Sequence, residues 1–369
     1  MKVALVHDYI KEFGGAERVL KTLTEIYPEA SIYTAFSVKG SAAEKEFRSK
    51  EIIESWLAPL LKIGKLYSPL RFLAPLIWGT MDLSKYDLVI TSCSWYITRG
   101  FKVGPKTKVI AYCHTPPRWL YGYETSVGFT RYWPVKVYSA IVGHFMRMYD
   151  FATAQKINLW IANSKNVQAR IQKFYRKDSV VIYPPVDVES IIKKTQGLQK
   201  EGYFLIVSRL VGAKGLEEAA MAFNKLPFKL KIVGEAHGFS DVEKRLKKLS
   251  GENIELLGRV AEEKLYELYA KAKGFIALAR DEDFGMTPVE AQAAGTPVIA
   301  FNGGGFKESV INRVTGILIN NTDEKTIKET INKFSKSKWV EEKLRNNARK
   351  FSEDHFENEI KKFVKANVK

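Results

Sequence analysis

The sequence predicts an α/β protein of two doubly wound domains, each a parallel sheet wrapped by helices. Three observations carry that expectation. Short apolar runs recur along the chain, bounded by glycine, proline or small polar residues, which is the pattern of strands buried on both faces. Segments at helical spacing separate these runs, as parallel pairing requires. The series closes at Pro184-Pro185-Val186-Asp187, a stiff connector, and opens again at Tyr203. A chain of 369 residues is long enough for two cores. A first domain is expected over 1–185 and a second over 186–351.

In the first domain, residues 2–6 read as a buried strand that ends at His7-Asp8-Tyr9. The run 13–19 then opens a helix, with Val19, Leu20 and Leu23 at helical spacing. Gly14-Gly15 lacks the third glycine of a dinucleotide fingerprint and the Gly-Lys-Ser/Thr of a P-loop, yet two glycines let a backbone approach a ligand closely. Residues 87–91, 108–112, 160–164 and 180–183 supply further strands. His114 stands at the C-terminal end of one of them, where open α/β sheets bind ligands, and Pro116 and Pro117 stiffen its loop.

Two apolar stretches interrupt this pattern. Residues 55–81 hold Trp56, Leu60, Ile63, Tyr67, Phe72 and Trp78, with Lys62, Lys65 and Arg71 as the only charges. Residues 130–151 repeat the theme with Arg131, Tyr132, Trp133, Lys136, Phe145 and Arg147. Aromatics and cations beside an apolar face suit an anionic membrane surface, and helices packed on a core look similar. A peripheral membrane contact through 55–81 is expected.

In the second domain, residues 203–207 form a strand, followed by Ser208-Arg209-Leu210-Val211-Gly212-Ala213-Lys214-Gly215 and a helix from Leu216. Two cations flank a turn at a helix N-terminus, an arrangement suited to a diphosphate. Strands follow at 230–233, 254–257, 274–278, 297–301 and 316–319, with helices at 242–249 and 262–271. Gly303-Gly304-Gly305 reads as a flexible loop that Glu308 packs on or caps. Residues 351–368 form one amphipathic helix with Phe356, Ile360, Phe363 and Val364 on a face.

The second domain is organised around residues 281–297. A turn with Gly285 leads into a helix start at Thr287 and Pro288, a hydroxyl cap and a first-position proline. Such a turn points backbone N–H groups at an anion. Glu282 lies before it and Glu290 within the helix. Carboxylates accept hydrogen bonds from hydroxyls, so the whole suits a sugar joined to a phosphate.

Composition narrows the class. Hydrophobic content of 46% and charged content of 27% fit a soluble globular protein. Cys93 and Cys113 are expected as buried structural thiols, in a reducing compartment and without zinc spacing. No signal peptide or spanning helix is visible, so a cytoplasmic location, peripheral at the inner membrane face, is expected. The net charge is +17, of which residues 1–180 carry +12 (26 basic, 14 acidic). That half faces something anionic.

These pieces resemble the retaining glycosyltransferases of family 4. Glu282-Asp283-Phe284-Gly285 through Glu290 fits the family's Glu-x7-Glu motif. Arg209 and Lys214-Gly215 fit its diphosphate-binding cations, and Gly14-Gly15 its N-terminal glycine loop. Ala162-Asn163-Ser164 and Tyr183-Pro184-Pro185-Val186-Asp187 fit its interdomain segments. His7-Asp8-Tyr9, Gly14-Gly15-Ala16-Glu17-Arg18 and Tyr112-Cys113-His114-Thr115-Pro116 are similar to mannosyltransferases of O-antigen and related glycan assembly. Gly212-Ala213 departs from the pattern, since an acid often precedes the lysine.

The resemblance implies the GT-B fold: two Rossmann-like domains facing across a cleft, with the C-terminal helix 352–369 returning to the first. It implies transfer of a hexose, mannose from GDP-mannose, to a lipid-linked or glycan acceptor with retention. Glu282 and the backbone of Phe284, Gly285, Met286 and Thr287 would hold the sugar and phosphate, Glu290 the ribose. Arg209 and Lys214 would stabilise the departing diphosphate. Gly14 and Gly15 would approach the ligand, and His114 would contact the transferred sugar. Gly258, Arg259 and Val260 would carry the base. Asp281-Glu282-Asp283 has the Asp-x-Asp form of a divalent-metal site, but Arg209 and Lys214 already supply positive charge, so no metal or other cofactor is expected. Nucleic acid is not an expected partner. A sugar-nucleotide epimerase on the same fold and a non-catalytic polyanion- or membrane-binding protein are the alternative readings.

Overall fold

The computed structural model describes residues 1–64, 66–123, 133–236 and 241–368. The chain divides into two compact units, the second running from Val186 to His355. The first takes in Met1–Tyr123, the chain up to Pro185, and the C-terminal residues from Phe356.

The first unit holds seven parallel strands: β1 (Val3–His7), β2 (Ser31–Thr34), β3 (Ile52–Glu54), β4 (Leu88–Cys93), β5 (Lys108–Cys113), β6 (Leu159–Ala162) and β7 (Val180–Val181). Their order across the sheet is β3-β2-β1-β4-β5-β6-β7. Strand alternation sends successive side chains to opposite faces. Leu5, Ile32, Ile90 and Ile110 meet Val19, Leu20 and Leu23 of the helix Gly15–Ile26 on one side. Phe356, Ile360 and Val364 of the helix Glu353–Asn367 complete that core. The C-terminal helix therefore packs on the first unit. Ala4, Val6, Val89 and Val109 face the other core, where Trp78, Tyr96 and Trp160 sit. A buried ion pair, Arg99 with Asp150, lies among these aromatics, and Tyr121 donates to Asp150 at 2.6 Å. Cys93 and Cys113 are free, buried and in register on β4 and β5.

Residues 55–81 divide between core and surface. Leu57, Ala58, Leu61, Ala74, Ile77, Trp78 and Met81 are core. Trp78 is fully buried and its indole N–H donates to the Tyr96 carbonyl at 2.9 Å. Trp56, by contrast, is 63% exposed, with Leu60, Ile63, Phe72 and Leu76 also outward. The cations are engaged internally: Lys62 pairs with Glu54, and Arg71 lies over the Trp119 ring at 4.2 Å. Lys65, Arg131 and Tyr132 lie outside the described residues.

The second unit holds six parallel strands: β8 (Phe204–Val207), β9 (Leu230–Val233), β10 (Ile254–Gly258), β11 (Gly274–Ala277), β12 (Val298–Phe301) and β13 (Gly316–Ile319). Their order is β10-β9-β8-β11-β12-β13. Phe204, Phe223, Leu230, Ile276 and Phe334 centre its core. The helices Val242–Leu249 and Glu262–Lys271 occupy the expected spans. Each sheet changes direction once, between β1 and β4 in the first unit and between β8 and β11 in the second. Open α/β sheets bind ligands beyond the strand ends at such switch points.

Candidate active site

In the second unit the switch point brings the loop after β8 against the loop after β11. Lys214 ends the short turn Gly212–Lys214, ahead of the helix Leu216–Phe223. Its Nζ donates to Glu282 Oε2 at 2.5 Å, with the two side chains 22% and 21% exposed. Lys214, Glu282 and Thr287 line one small hollow with Ser208, Leu278 and Phe306. The candidate diphosphate cation and the candidate sugar carboxylate are thus neighbours. Arg209 follows the end of β8 with its side chain exposed.

The helix after the turn runs Met286–Ala293, two residues earlier than expected. Its cap is Gly285, in the left-handed region at φ +87°, and no side chain caps it. Thr287 is therefore inside the first turn, and Pro288 after it. A proline there lacks only an N–H that has no intrahelical partner. The helix's first N–H groups, which have no intrahelical partner, begin at Met286. Phe284 is buried. Glu290 is only 3% exposed, and its Oε2 accepts from the Tyr269 hydroxyl at 2.7 Å.

Gly303-Gly304-Gly305 is a packing seam and not a loose loop. Gly305 N donates to the Glu282 carbonyl at 2.9 Å. A Cβ on Gly304 would lie 2.2 Å from that same oxygen, and one on Gly305 2.3 Å from Phe284 Cα. Backbone lies on backbone here, so the seam fixes the turn that carries Glu282. Glu308 belongs to the short helix Phe306–Ser309, and its N–H donates to Gly305. Gly258 ends β10, two strands out from β8, and Arg259 and Val260 follow it, with Arg259 exposed.

In the first unit, the loop after β1 and the end of β4 flank the switch point. Gly14 is the N-cap of the helix Gly15–Ile26, and its N–H donates to Glu17 Oε2 at 2.9 Å. Gly15 is exposed. His114, just after β5, has its Nε2 2.8 Å from Ser92 Oγ. Burial, reinforced by the nearby His7, pulls its pKa down to about 3, so the ring is neutral at physiological pH. Asp8 is a residue the sequence reading did not single out. It is buried at the end of β1, with Oδ2 accepting from Ser94 Oγ at 2.7 Å and Trp95 N at 2.8 Å. Burial raises its pKa. An acid directly after a strand-end histidine was the available signal.

The comparisons agree with this geometry. The family model described as Glycosyltransferase Family 4 matches residues 13–190. The model described as Glycosyl transferases group 1 matches residues 187–351. An uncharacterized glycosyltransferase, MJ1178, of Methanocaldococcus jannaschii is 28% identical over 214 residues, 58% of this chain and 59% of that protein. The chain thus spans under two thirds of that relative's length. The alpha-1,3/1,6-mannosyltransferase ALG2 of Dictyostelium discoideum is 24% identical over 294 residues, 68% of this chain and 67% of that one. Among solved structures, Anabaena Alr3699/HepE in complex with UDP-glucose superposes with a TM-score of 0.69 at 19% identity, covering 99% of this chain and 100% of that one. With both sheets built as that fold requires and family models matching from residue 13 to residue 351, the chain belongs to the family 4 glycosyltransferases and has the two-domain GT-B fold.

Proposed function

We propose that the protein is a retaining hexosyltransferase that moves mannose from GDP-mannose to a lipid-linked or glycan acceptor in cell-surface polysaccharide or glycan assembly. The observation that carries the donor site is the Lys214–Glu282 pair at the β8/β11 switch point, which lines one hollow with Thr287 of the helix that starts at Met286. Cation, helix N-terminus and carboxylate then meet diphosphate, phosphate and sugar hydroxyl in that order. Glu290, whose Oε2 accepts from Tyr269, binds the ribose hydroxyls, and residues 258–260 carry the base. The acceptor hydroxyl attacks from the face that the diphosphate leaves. The departing phosphate oxygen takes its proton, while Arg209 and Lys214 balance the growing negative charge. The likeness to a mannosyltransferase supports mannose. The likeness to a protein crystallised with UDP-glucose supports a second donor reading, a uridine nucleotide.

Calorimetry against a panel of nucleoside diphosphates tests the base, and turnover with the matching sugar donors tests the reaction. Tightest binding of GDP and transfer from GDP-mannose are expected. Release of an epimer from donor alone would replace transferase with epimerase. Salt-sensitive binding to any polyanion, without preference among nucleotides, would leave only a binding protein.

The same reading includes a peripheral contact with an anionic membrane through 55–81, now extended to the helix Trp133–Gln155. Trp133, Val137, Ile141, Phe145 and Met148 recur on one exposed face of that helix. Between Trp133 and Tyr149 the only charged residues are Lys136 and Arg147, both basic. The Tyr138 hydroxyl donates to the Pro69 carbonyl at 2.6 Å, joining the two stretches. Among the described residues no helix is long and apolar enough to cross a membrane.

A further inference from the structure

A row of four side chains runs through the first unit from the glycine turn to His114. Glu17 Oε1 lies 3.4 Å from His7 Nε2, His7 Nδ1 lies 3.0 Å from Ser92 Oγ, and Ser92 Oγ lies 2.8 Å from His114 Nε2. His7 and Ser92 are each 1% exposed. The other oxygen of Glu17 is held by the Gly14 N–H. The row therefore begins at the backbone of the glycine turn.

Donor counting gives it a direction. A carboxylate only accepts, so His7 Nε2 carries the hydrogen that faces Glu17. A ring with its one hydrogen on Nε2 offers Nδ1 as a bare acceptor. Ser92 has one hydroxyl hydrogen and gives it to that nitrogen. The Ser92 oxygen can then only accept, so His114 Nε2 carries the next hydrogen. Among the described residues no protein group partners His114 Nδ1, and the residue is half-buried.

We propose that Glu17, His7 and Ser92 are positioning residues that fix His114 as the Nε2–H tautomer, so that its Nδ1 lone pair is offered as a hydrogen-bond acceptor to a hydroxyl of the transferred sugar. The sugar contact rests on the function proposed above; the tautomer does not. The polarity matters for the chemistry. Glycosyl transfer builds positive charge at the anomeric carbon. A neutral acceptor beside a sugar hydroxyl favours that charge, whereas a donor or a charged imidazolium opposes it. An imidazole free to swap tautomers would present the wrong nitrogen for part of the time, and ordering it during reaction would raise the barrier.

Nitrogen-15 labelling of histidine, read by long-range proton–nitrogen NMR at about pH 8, tests this on the full chain. The sequence has five histidines, so single His→Gln variants assign the signals. His7 and His114 are both expected as Nε2–H. Ser92→Ala is expected to leave His114 averaged between tautomers and to lower kcat about tenfold or more, as loss of a group that orients a working imidazole does. Nucleoside diphosphate affinity should stay within about twofold, because those contacts are assigned to the second unit. Ser92→Thr, which keeps the hydroxyl, should restore the tautomer and most of the turnover. Should Ser92→Ala not fold, Glu17→Leu takes its place and is expected to mix the tautomers of both rings. The proposal is overturned by an Nδ1–H form of His114 in the wild type. It is equally overturned by a His114 ring that the variants leave unchanged, or by a mixed tautomer with full turnover. A wild type that turns over no nucleotide sugar would sink the transferase reading, and the ring spectra would still decide the relay.

Discussion

Lys214 and Glu282 satisfy each other at 2.5 Å, so a diphosphate at the turn competes for a cation that already has a partner. Both groups keep some solvent, and such a pair is worth about 1 kcal/mol or less. Glu282→Ala should therefore leave nucleoside diphosphate affinity equal or raise it by at most ~5-fold, while turnover falls by roughly 10²–10³. Lys214→Ala should weaken both. Calorimetry with steady-state kinetics on the two variants checks this; equal loss of nucleotide affinity in both would break the division of roles. At His114 the linkage is one of acid sensitivity. Its folded pKa is lowered to about 3, so between there and the ordinary imidazole value the unfolded chain binds one more proton than the folded one. The stability held by the neutral ring is full above the ordinary value and is lost as pH falls toward the folded one. Unfolding titrations of wild type and His114→Asn should diverge in that window, with the wild type steeper by one proton. Both predictions concern residues legible in the sequence by type and position. The pairings, Glu282 with Lys214 and Ser92 with His114, join distant segments and have no local signal.

The turn after β11 depends on two elements that meet only in the fold. Gly285 accepts a positive φ and starts the helix Met286–Ala293 without a side-chain cap. Thr287 followed by Pro288 looked like the helix start because both residues favour first-turn positions. A glycine cap, which supplies backbone freedom and no side chain, leaves little trace in a local pattern. The seam at 303–305 is the second element. Gly304→Ala would put a methyl 2.2 Å from the Glu282 carbonyl at a residue with φ +54°, so the turn must move or the chain lose stability. A loss of about 1–3 kcal/mol is expected, read as a lower melting temperature, together with reduced turnover because Glu282 is displaced. Unchanged melting and kinetics would show that the seam does not hold the turn. Strands β2 and β3 escaped notice for a related reason. Ser31–Thr34 contains one aliphatic residue, and Ile52–Glu54 is three residues at the sheet edge. Ser31–Thr34 is a strand because β1 offers its edge, and Ile52–Glu54 because β2 then offers its own, which is a tertiary fact.

At the scale of the whole molecule, the basic first half and the exposed apolar helix face predict lipid binding. Flotation with liposomes containing anionic lipid should recover the wild type and lose a variant carrying Ile141→Ser and Phe145→Ser. Neutral liposomes should recover less of both. Equal flotation of the two proteins would remove that helix from the membrane reading. Trp56 and Trp78, alike in the sequence, should behave oppositely. Trp56→Ser should change stability by no more than ~0.5 kcal/mol, whereas Trp78→Ser removes a fully buried ring and should cost about 3–5 kcal/mol, measured by denaturant unfolding. The sequence by itself determined the two-sheet plan, nearly all strands, the family, and the residue types of the candidate donor site. These follow from local periodicity and from motifs whose spacing a short turn dictates. Only the tertiary structure decided which faces of the apolar stretches are core, that Lys214 reaches Glu282, and that Glu17, His7, Ser92 and His114 form one row. Each of these joins residues far apart in the chain, and burial and hydrogen-bond partners are set by where the sheets bring them.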